Sequence, residues 1–113
     1  MKLGDKQRLF AKLLPALINQ AHLFGFEVTI GDAYRDPRLH GQLGEKKSYG
    51  HRNSCHKIRL AIDLNLFLDG VYLTSTESHR KLGEWWESLH PLCRWGGQFN
   101  DGNHYSFEHD GAM

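Results

Sequence analysis

The run from Lys57 to Leu68 leaves this chain few ways to fold. Ile58, Leu60, Ile62, Leu64, Leu66 and Leu68 alternate with Arg59, Ala61, Asp63, Asn65 and Phe67, a period of two that gathers the larger aliphatic side chains on one face only in an extended strand. Asp69-Gly70 follows at once and Val71-Tyr72-Leu73 comes next, the strongest short-range signal for a hairpin. Asp63 then points away from the leucines. On an ordinary half-buried strand that face is solvated and such an aspartate is a surface charge. Here it competes with a histidine upstream. His56 is too far from Asp63 for one helical face, which places His56 at a loop exit and Asp63 on the strand that follows.

A second group lies near the C-terminus. His104-Tyr105-Ser106-Phe107-Glu108-His109 also alternates, so His104, Ser106 and Glu108 share one side while Tyr105 and Phe107 pack on the other. Two imidazoles and one carboxylate from His56, Asp63 and His104 can hold zinc through three protein ligands. That leaves the fourth position for the water that a catalytic site needs. Nitrogen and oxygen donors of this kind also accept cobalt, nickel or manganese. Asp101 sits in the turn-forming run Asn100-Asp101-Gly102-Asn103, close enough to reach a water on the same metal without being a ligand, and is the candidate general base. On its own, an aspartate before glycine is as readily an Asx-turn residue. Ser54 has two readings: it orients substrate or bonds a ligand, or it is a turn hydroxyl bonded to nearby backbone.

These residues resemble the zinc D-Ala-D-Ala peptidases and L-alanyl-D-glutamate endopeptidases that cut bacterial peptidoglycan, small phage endolysins included. Ser54-Cys55-His56 with Ala61-Ile62-Asp63 is similar to that family's Ser-x-His and Ala-x-Asp signature. Asp101-Gly102-Asn103-His104 resembles its acidic-x-x-His element, and Trp95-Gly96-Gly97 is also similar. The resemblance implies an α+β fold, a small single-domain zinc peptidase over residues 1–113 with a central antiparallel sheet backed by helices, like hedgehog and D-Ala-D-Ala peptidase domains. It implies zinc on His56, Asp63 and His104, with Asp101 acting on the nucleophilic water. Aspartate rather than glutamate at that position resembles the phage endopeptidases more than the dipeptidases. Tyr34-Arg35-Asp36-Pro37, with Gln42 further on, is similar to the family's segment around a substrate-contacting arginine, so Arg35 inherits a substrate-binding and oxyanion-stabilising role; otherwise it is a surface arginine paired with Asp32 or Asp36. Many members carry glycine where this chain has Arg59, which implies either a different approach of the backbone or a basic side chain facing the wall polymer. The expected substrate is the peptidoglycan stem peptide, cut at L-Ala-D-Glu. The alternatives are a D-Ala-D-Ala carboxypeptidase and a binding or structural domain that keeps the metal without turnover.

Composition narrows the partners. Lys and Arg number 14 and Asp and Glu 13, a net charge of 14 − 13 = +1, so no broad field draws the chain to nucleic acid or to an anionic membrane. With 113 residues there is room for one core and no separate wall-binding module, and a monomer is the expected state. Of eight histidines, His22, His40, His51, His79, His90 and His109 lie outside the signatures and read as surface or packing residues, with His51 a candidate for the cleft rim. Cys55 and Cys93 form no disulfide framework or zinc knuckle and are read as reduced thiols. Cys55 adjoins His56, but in extended chain their side chains diverge, so no Cys-His nucleophile is expected. Met1-Lys2 runs into the charged Gly4-Asp5-Lys6-Gln7-Arg8 without the apolar core of a signal peptide, and no membrane span is expected. Together with the resemblance, this implies synthesis in the cytoplasm and action on the wall after release, by the route phage endolysins take.

The remaining elements follow from periodicity. Leu3 to Leu23 repeats at helical spacing, with Pro15 a candidate kink and Gly25 its end. Phe26-Glu27-Val28-Thr29-Ile30 predicts the first strand, which delivers Gly31 to Arg35 to the cleft. Leu39 to Asn53 predicts a mobile loop. Thr76 with His79 to Leu89 predicts a second helix, with Leu82, Trp85, Trp86 and Leu89 on its apolar face.

Overall fold

The computed structural model describes residues 1–36, 38, 43 and 54–112. Helix α1 spans Leu3–Leu23. Its first turn is closed by the Lys2 backbone N–H donating to Asp5 Oδ2 at 3.1 Å, and the Asp5 charge also suits the positive end of the helix. Pro15 lies inside and does not interrupt it. The helix ends where glycine predicts: Gly25 takes φ +94°, its N–H bonds His22 O, and Phe26 N–H bonds Ala21 O. This double bond is a Schellman cap, which favours glycine at the left-handed position.

Strands β1 (Glu27–Ile30), β2 (Ala61–Leu68), β3 (Val71–Leu73), β4 (Cys93–Trp95) and β5 (His104–Phe107), with helix α2 (Arg80–Leu89), complete an α+β domain. The sheet runs β1-β2-β5-β4, with β3 also on β2, and every pairing is antiparallel. β2 is the spine. β1 covers one of its edges from Leu64 to Phe67; on the other edge β5 pairs with Ala61 to Asp63 and β3 with Leu66 to Leu68. The β2–β3 turn is Asp69-Gly70 with φ 50° and 77°, the two positive values that a type I′ hairpin requires.

Helices back one face of the sheet. Phe10, Leu17 and Ala21 of α1 and Leu82 and Trp86 of α2 are buried with Ile62, Leu64 and Leu66 of β2 and Tyr105 and Phe107 of β5. Phe10 meets the Phe107 ring edge-on at 5.4 Å, and Trp86 donates its indole N–H to Arg94 O and Ser106 O, so its polar edge is satisfied within the core. Each such large side chain contributes roughly 1.5–3 kcal/mol by leaving water. The opposite face carries Asp63 and His104.

Two expectations change, one at the start of β2 and one before the second helix. The alternation suggested extended chain from Lys57, but Cys55–Ile58 forms a 3-10 turn and the strand starts at Ala61. Arg59 ends the turn at φ 58°, ψ 34°, the left-handed conformation that glycine adopts without strain. Its guanidinium lies over the Tyr34 ring, 4.0 Å from the centroid. The second helix is likewise preceded by a 3-10 turn, Glu77–His79. The loop predicted from Leu39 to Asn53 falls almost wholly outside the described residues, as do Pro37, His40, Gln42 and His51.

Candidate metal centre

Register brings the first two groups together. Asp63 and His104 are direct cross-strand partners. Asp63 spends both backbone bonds on the β1 side, N–H to Asp32 O at 2.7 Å and C=O from Gly31 N–H at 2.8 Å. It therefore faces His104 as a non-hydrogen-bonded pair, the arrangement in which opposed side chains stand closest. His56 arrives from the 3-10 turn, whose start is capped by Ser54 Oγ accepting from His56 N–H at 3.2 Å.

The three side chains converge. His56 Nε2 lies 3.0 Å from Asp63 Oδ1 and 3.2 Å from His104 Nδ1, and His104 Nδ1 lies 3.6 Å from Asp63 Oδ1. Donors held ~2.0–2.1 Å from a tetrahedral zinc stand about 3.3 Å apart, so the triangle fits such an ion. Protonation supports the same reading. His56 Nδ1 lies 2.8 Å from Ala33 O, an acceptor only, so Nδ1 carries the hydrogen and a neutral ring turns the lone pair of Nε2 toward the carboxylate. Two lone pairs at 3.0 Å need a positive centre between them, a metal ion or a proton. A backbone carbonyl behind a histidine is also the usual outer support of a metal ligand. His56, Asp63 and His104 can hold a metal ion, and His56 and His104 are buried. With protons rather than a metal between these atoms, burial still raises the Asp63 carboxyl, but hydrogen bonds from His104 and His56, with their charges, outweigh it and hold the pKa at about 2.

Asp101 stands at the rim. Its Oδ2 is 4.0 Å from His104 Nδ1, and its side chain is 59% exposed. Behind it, Asn100 takes φ 57°, Asp101 N–H bonds Gly96 O, and His104 N–H bonds Asp101 O. Trp95 donates its indole N–H to Gly102 O at 2.7 Å. Gly96 has no room for a side chain, since a Cβ there would stand 2.3 Å from Asp101 O. The Trp95-Gly96 pair, noted in the sequence only as part of a resemblance, thus shapes the turn that presents Asp101.

Arg35 enters beneath the centre and is not a surface residue. Its side chain is 12% exposed. Nε donates to Asp32 Oδ2 at 3.2 Å, one terminal nitrogen donates to Ser54 Oγ at 3.1 Å, and the other lies 4.0 Å from Asp63 Oδ2. Its backbone N–H bonds His56 O. The Asp32 pairing weighed from the sequence is present, while Asp36 instead holds Arg38. Ser54 takes its reading as a turn hydroxyl bonded to nearby backbone, and its Oγ also accepts from Arg35.

Sequence reasoning missed Asp32 and Ala33, whose backbone oxygens hold Asp63 and His56. No side-chain pattern signals a carbonyl. Cys55 is separated from the site for a different reason than expected: within the turn its thiol donates to Phe107 O at 3.2 Å, and burial pushes its pKa up to about 12. It is no nucleophile. Among the described residues no helix is long and apolar enough to cross a membrane. No family model matches this chain, and no curated protein matches it.

Proposed function

We propose that this chain is a zinc-dependent peptidase acting on peptidoglycan stem peptides, most simply an L-alanyl-D-glutamate endopeptidase of the phage endolysin type. The observation that carries the reading is the triangle of His56, Asp63 and His104 with an exposed carboxylate, Asp101, 4.0 Å from one of its corners. A structural zinc site closes its fourth position with a protein ligand. Here the neighbour is an exposed acid three residues from His104, matching the acidic-x-x-His element of the family that the sequence resembles.

Bound by the three ligands, zinc would supply Lewis acidity to a water and to the scissile carbonyl. Asp101 takes the proton of the attacking water and returns it to the leaving amine. Its exposure suits a group that must meet both water and substrate. Arg35 spends its hydrogen bonds on Asp32 and Ser54 and stands beside the outer oxygen of Asp63, so its first role is to position Ser54 and Asp63, with oxyanion stabilisation resting on the resemblance.

The deciding experiment incubates zinc-loaded protein with isolated peptidoglycan, with and without chelator, and identifies new termini by mass spectrometry. New D-Glu amino termini that vanish with chelator are expected. Released D-Ala would instead make the enzyme a carboxypeptidase, and zinc binding without cleavage would make the domain a binding module. Alanine at His56 or Asp63 lowers zinc occupancy, and unchanged metal content would remove that residue from the ligand set.

A further inference from the structure

A cavity of about 200 Å³ begins at Asp101 and runs between the Asn100–Asn103 turn and the segment after β3. Tyr72, which lines it, is the cross-strand partner of Phe67, and Phe67 shares the face of Asp63 by strand alternation. The cavity walls hold hydroxyls and carboxamides, from Ser75, Thr76, Asn100 and Asn103, and among the described residues no lysine or arginine lines it. Among the described residues the only formal charge lining it is the carboxylate of Asp101.

His79 also lines this cavity, and its hydrogen-bonding state can be deduced. Tyr105 is fully buried, and its hydroxyl lies 2.8 Å from His79 Nδ1. Were Nδ1 the donor, the phenolic hydrogen would be buried without an acceptor, which costs ~1–3 kcal/mol. The phenol therefore donates, and a neutral ring carries its hydrogen on Nε2. Burial keeps that ring neutral by lowering its pKa to about 4. Among the described residues no hydrogen-bond partner for Nε2 is found, so the cavity holds a fixed N–H donor.

We propose that this cavity is a specificity subsite that takes a neutral carboxamide, in preference to a carboxylate, on the carbon bearing the leaving amine. The inference rests on the peptidase reading and deepens it. Asp101 returns the proton to the leaving nitrogen, so a group attached one carbon away falls beside Asp101, which lines the cavity. In an L-Ala-D-Glu substrate that group is the α-carboxyl of the D-glutamate, present as free acid or as amide. The amide carbonyl accepts from the His79 N–H, while its NH₂ donates to Asp101 or the Asn103 side-chain oxygen. A carboxylate there offers Asp101 only lone pairs, with no hydrogen for the two oxygens to share.

The test uses two N-acetyl-L-alanyl peptides whose D-glutamate γ-carboxyl is capped as the methylamide, differing only in an α-carboxamide or α-carboxylate. With zinc-loaded protein the carboxamide should be cleaved with about 10-fold higher kcat/KM, the scale of one hydrogen bond. It should also shift the His79 imidazole Nε2 resonance at concentrations where the acid leaves it in place. Equal rates, or preference for the acid, would overturn the subsite, as would an unmoved His79 resonance with both peptides. A shift with the carboxamide alone but no cleavage of either would keep the subsite and remove the peptidase reading. In a folded His79→Phe variant, kcat/KM for the carboxamide should fall about 10-fold with the loss of that donor, and an unchanged value would remove His79 from the subsite; should that variant not fold, the wild-type resonance still decides.

Discussion

Two short segments build the centre, and they are made differently. Ser54 to Asp63 delivers its ligands from inside: His56 is held at Nδ1 by Ala33 O and at its own carbonyl by Arg35 N–H, and Asp63 is tied to Asp32 and Gly31 by backbone. Trp95 to His104 delivers one buried ligand and one exposed acid, through a turn shaped by an indole, a glycine and a left-handed asparagine. Burial holds the candidate metal donors rigid and out of water. On the peptidase reading the proton-transfer group must stay wet, so its position is set by what packs behind it.

The largest separation between the segments should come from Asp101→Asn. On the peptidase reading it removes the general base while leaving every ligand in place, and kcat should fall about 100- to 10,000-fold with zinc content unchanged. Kinetics on a synthetic stem peptide together with metal analysis of the same preparation would check this. Wild-type turnover would show that the exposed acid only shapes the turn.

The second contrast is in acid. The C-terminal segment rests on neutral His79 beneath Tyr105, and burial sets its pKa at about 4 against 6.5 for the free side chain. Above pH 6.5 the ring is neutral folded or unfolded and contributes nothing. As the pH falls from 6.5 toward 4 only the unfolded chain takes up the proton, so stability is progressively lost, by about 3 kcal/mol at the lower end. Urea midpoints of metal-free wild type and His79→Gln, compared at pH 7 and pH 4, should converge as the pH drops. A difference that does not change with pH would remove His79 as the cause.

These contrasts also separate what the sequence reveals from what it hides. Ile62, Leu64 and Leu66, the Asp69-Gly70 turn and the Gly25 cap act through nearest neighbours, and all are found where periodicity and turn chemistry place them. The turn at Cys55–Ile58 is not legible. Ile58 and Leu60 keep the alternation while Arg59 takes a backbone conformation rare outside glycine, so the pattern runs past the start of the strand. The pairing of Asp63 with His104 is equally hidden, because register between distant strands depends on the whole sheet. Arg35 reaches the site through a backbone bond to His56, and its role there could be guessed only by resemblance.

Gly96→Ala should strike the second segment alone. Its Cβ would stand 2.3 Å from Asp101 O and 3.0 Å from His104 Cβ, so the turn must shift, at a cost of about 1–3 kcal/mol for overpacking. Because the shift moves both Asp101 and a ligand, zinc affinity and turnover should fall together. Affinity that holds while turnover drops would mean that the turn can move Asp101 without moving His104.

The smallest effect belongs to the first segment. Ser54→Ala removes the oxygen that accepts from His56 N–H at 3.2 Å and from Arg35 at 3.1 Å. As a lost cap it should cost about 1 kcal/mol, a fall in Tm of roughly 4–8 °C for a domain of this size. His56 keeps its bonds to Ala33 and Arg35 backbone, and Arg35 keeps Asp32, so zinc affinity should barely move. The split between Tm and KM then decides between the two roles of this hydroxyl. A lower Tm with KM unchanged makes Ser54 a cap that also steadies Arg35; a raised KM at unchanged Tm makes it a substrate contact, and the first segment would then do more than hold metal.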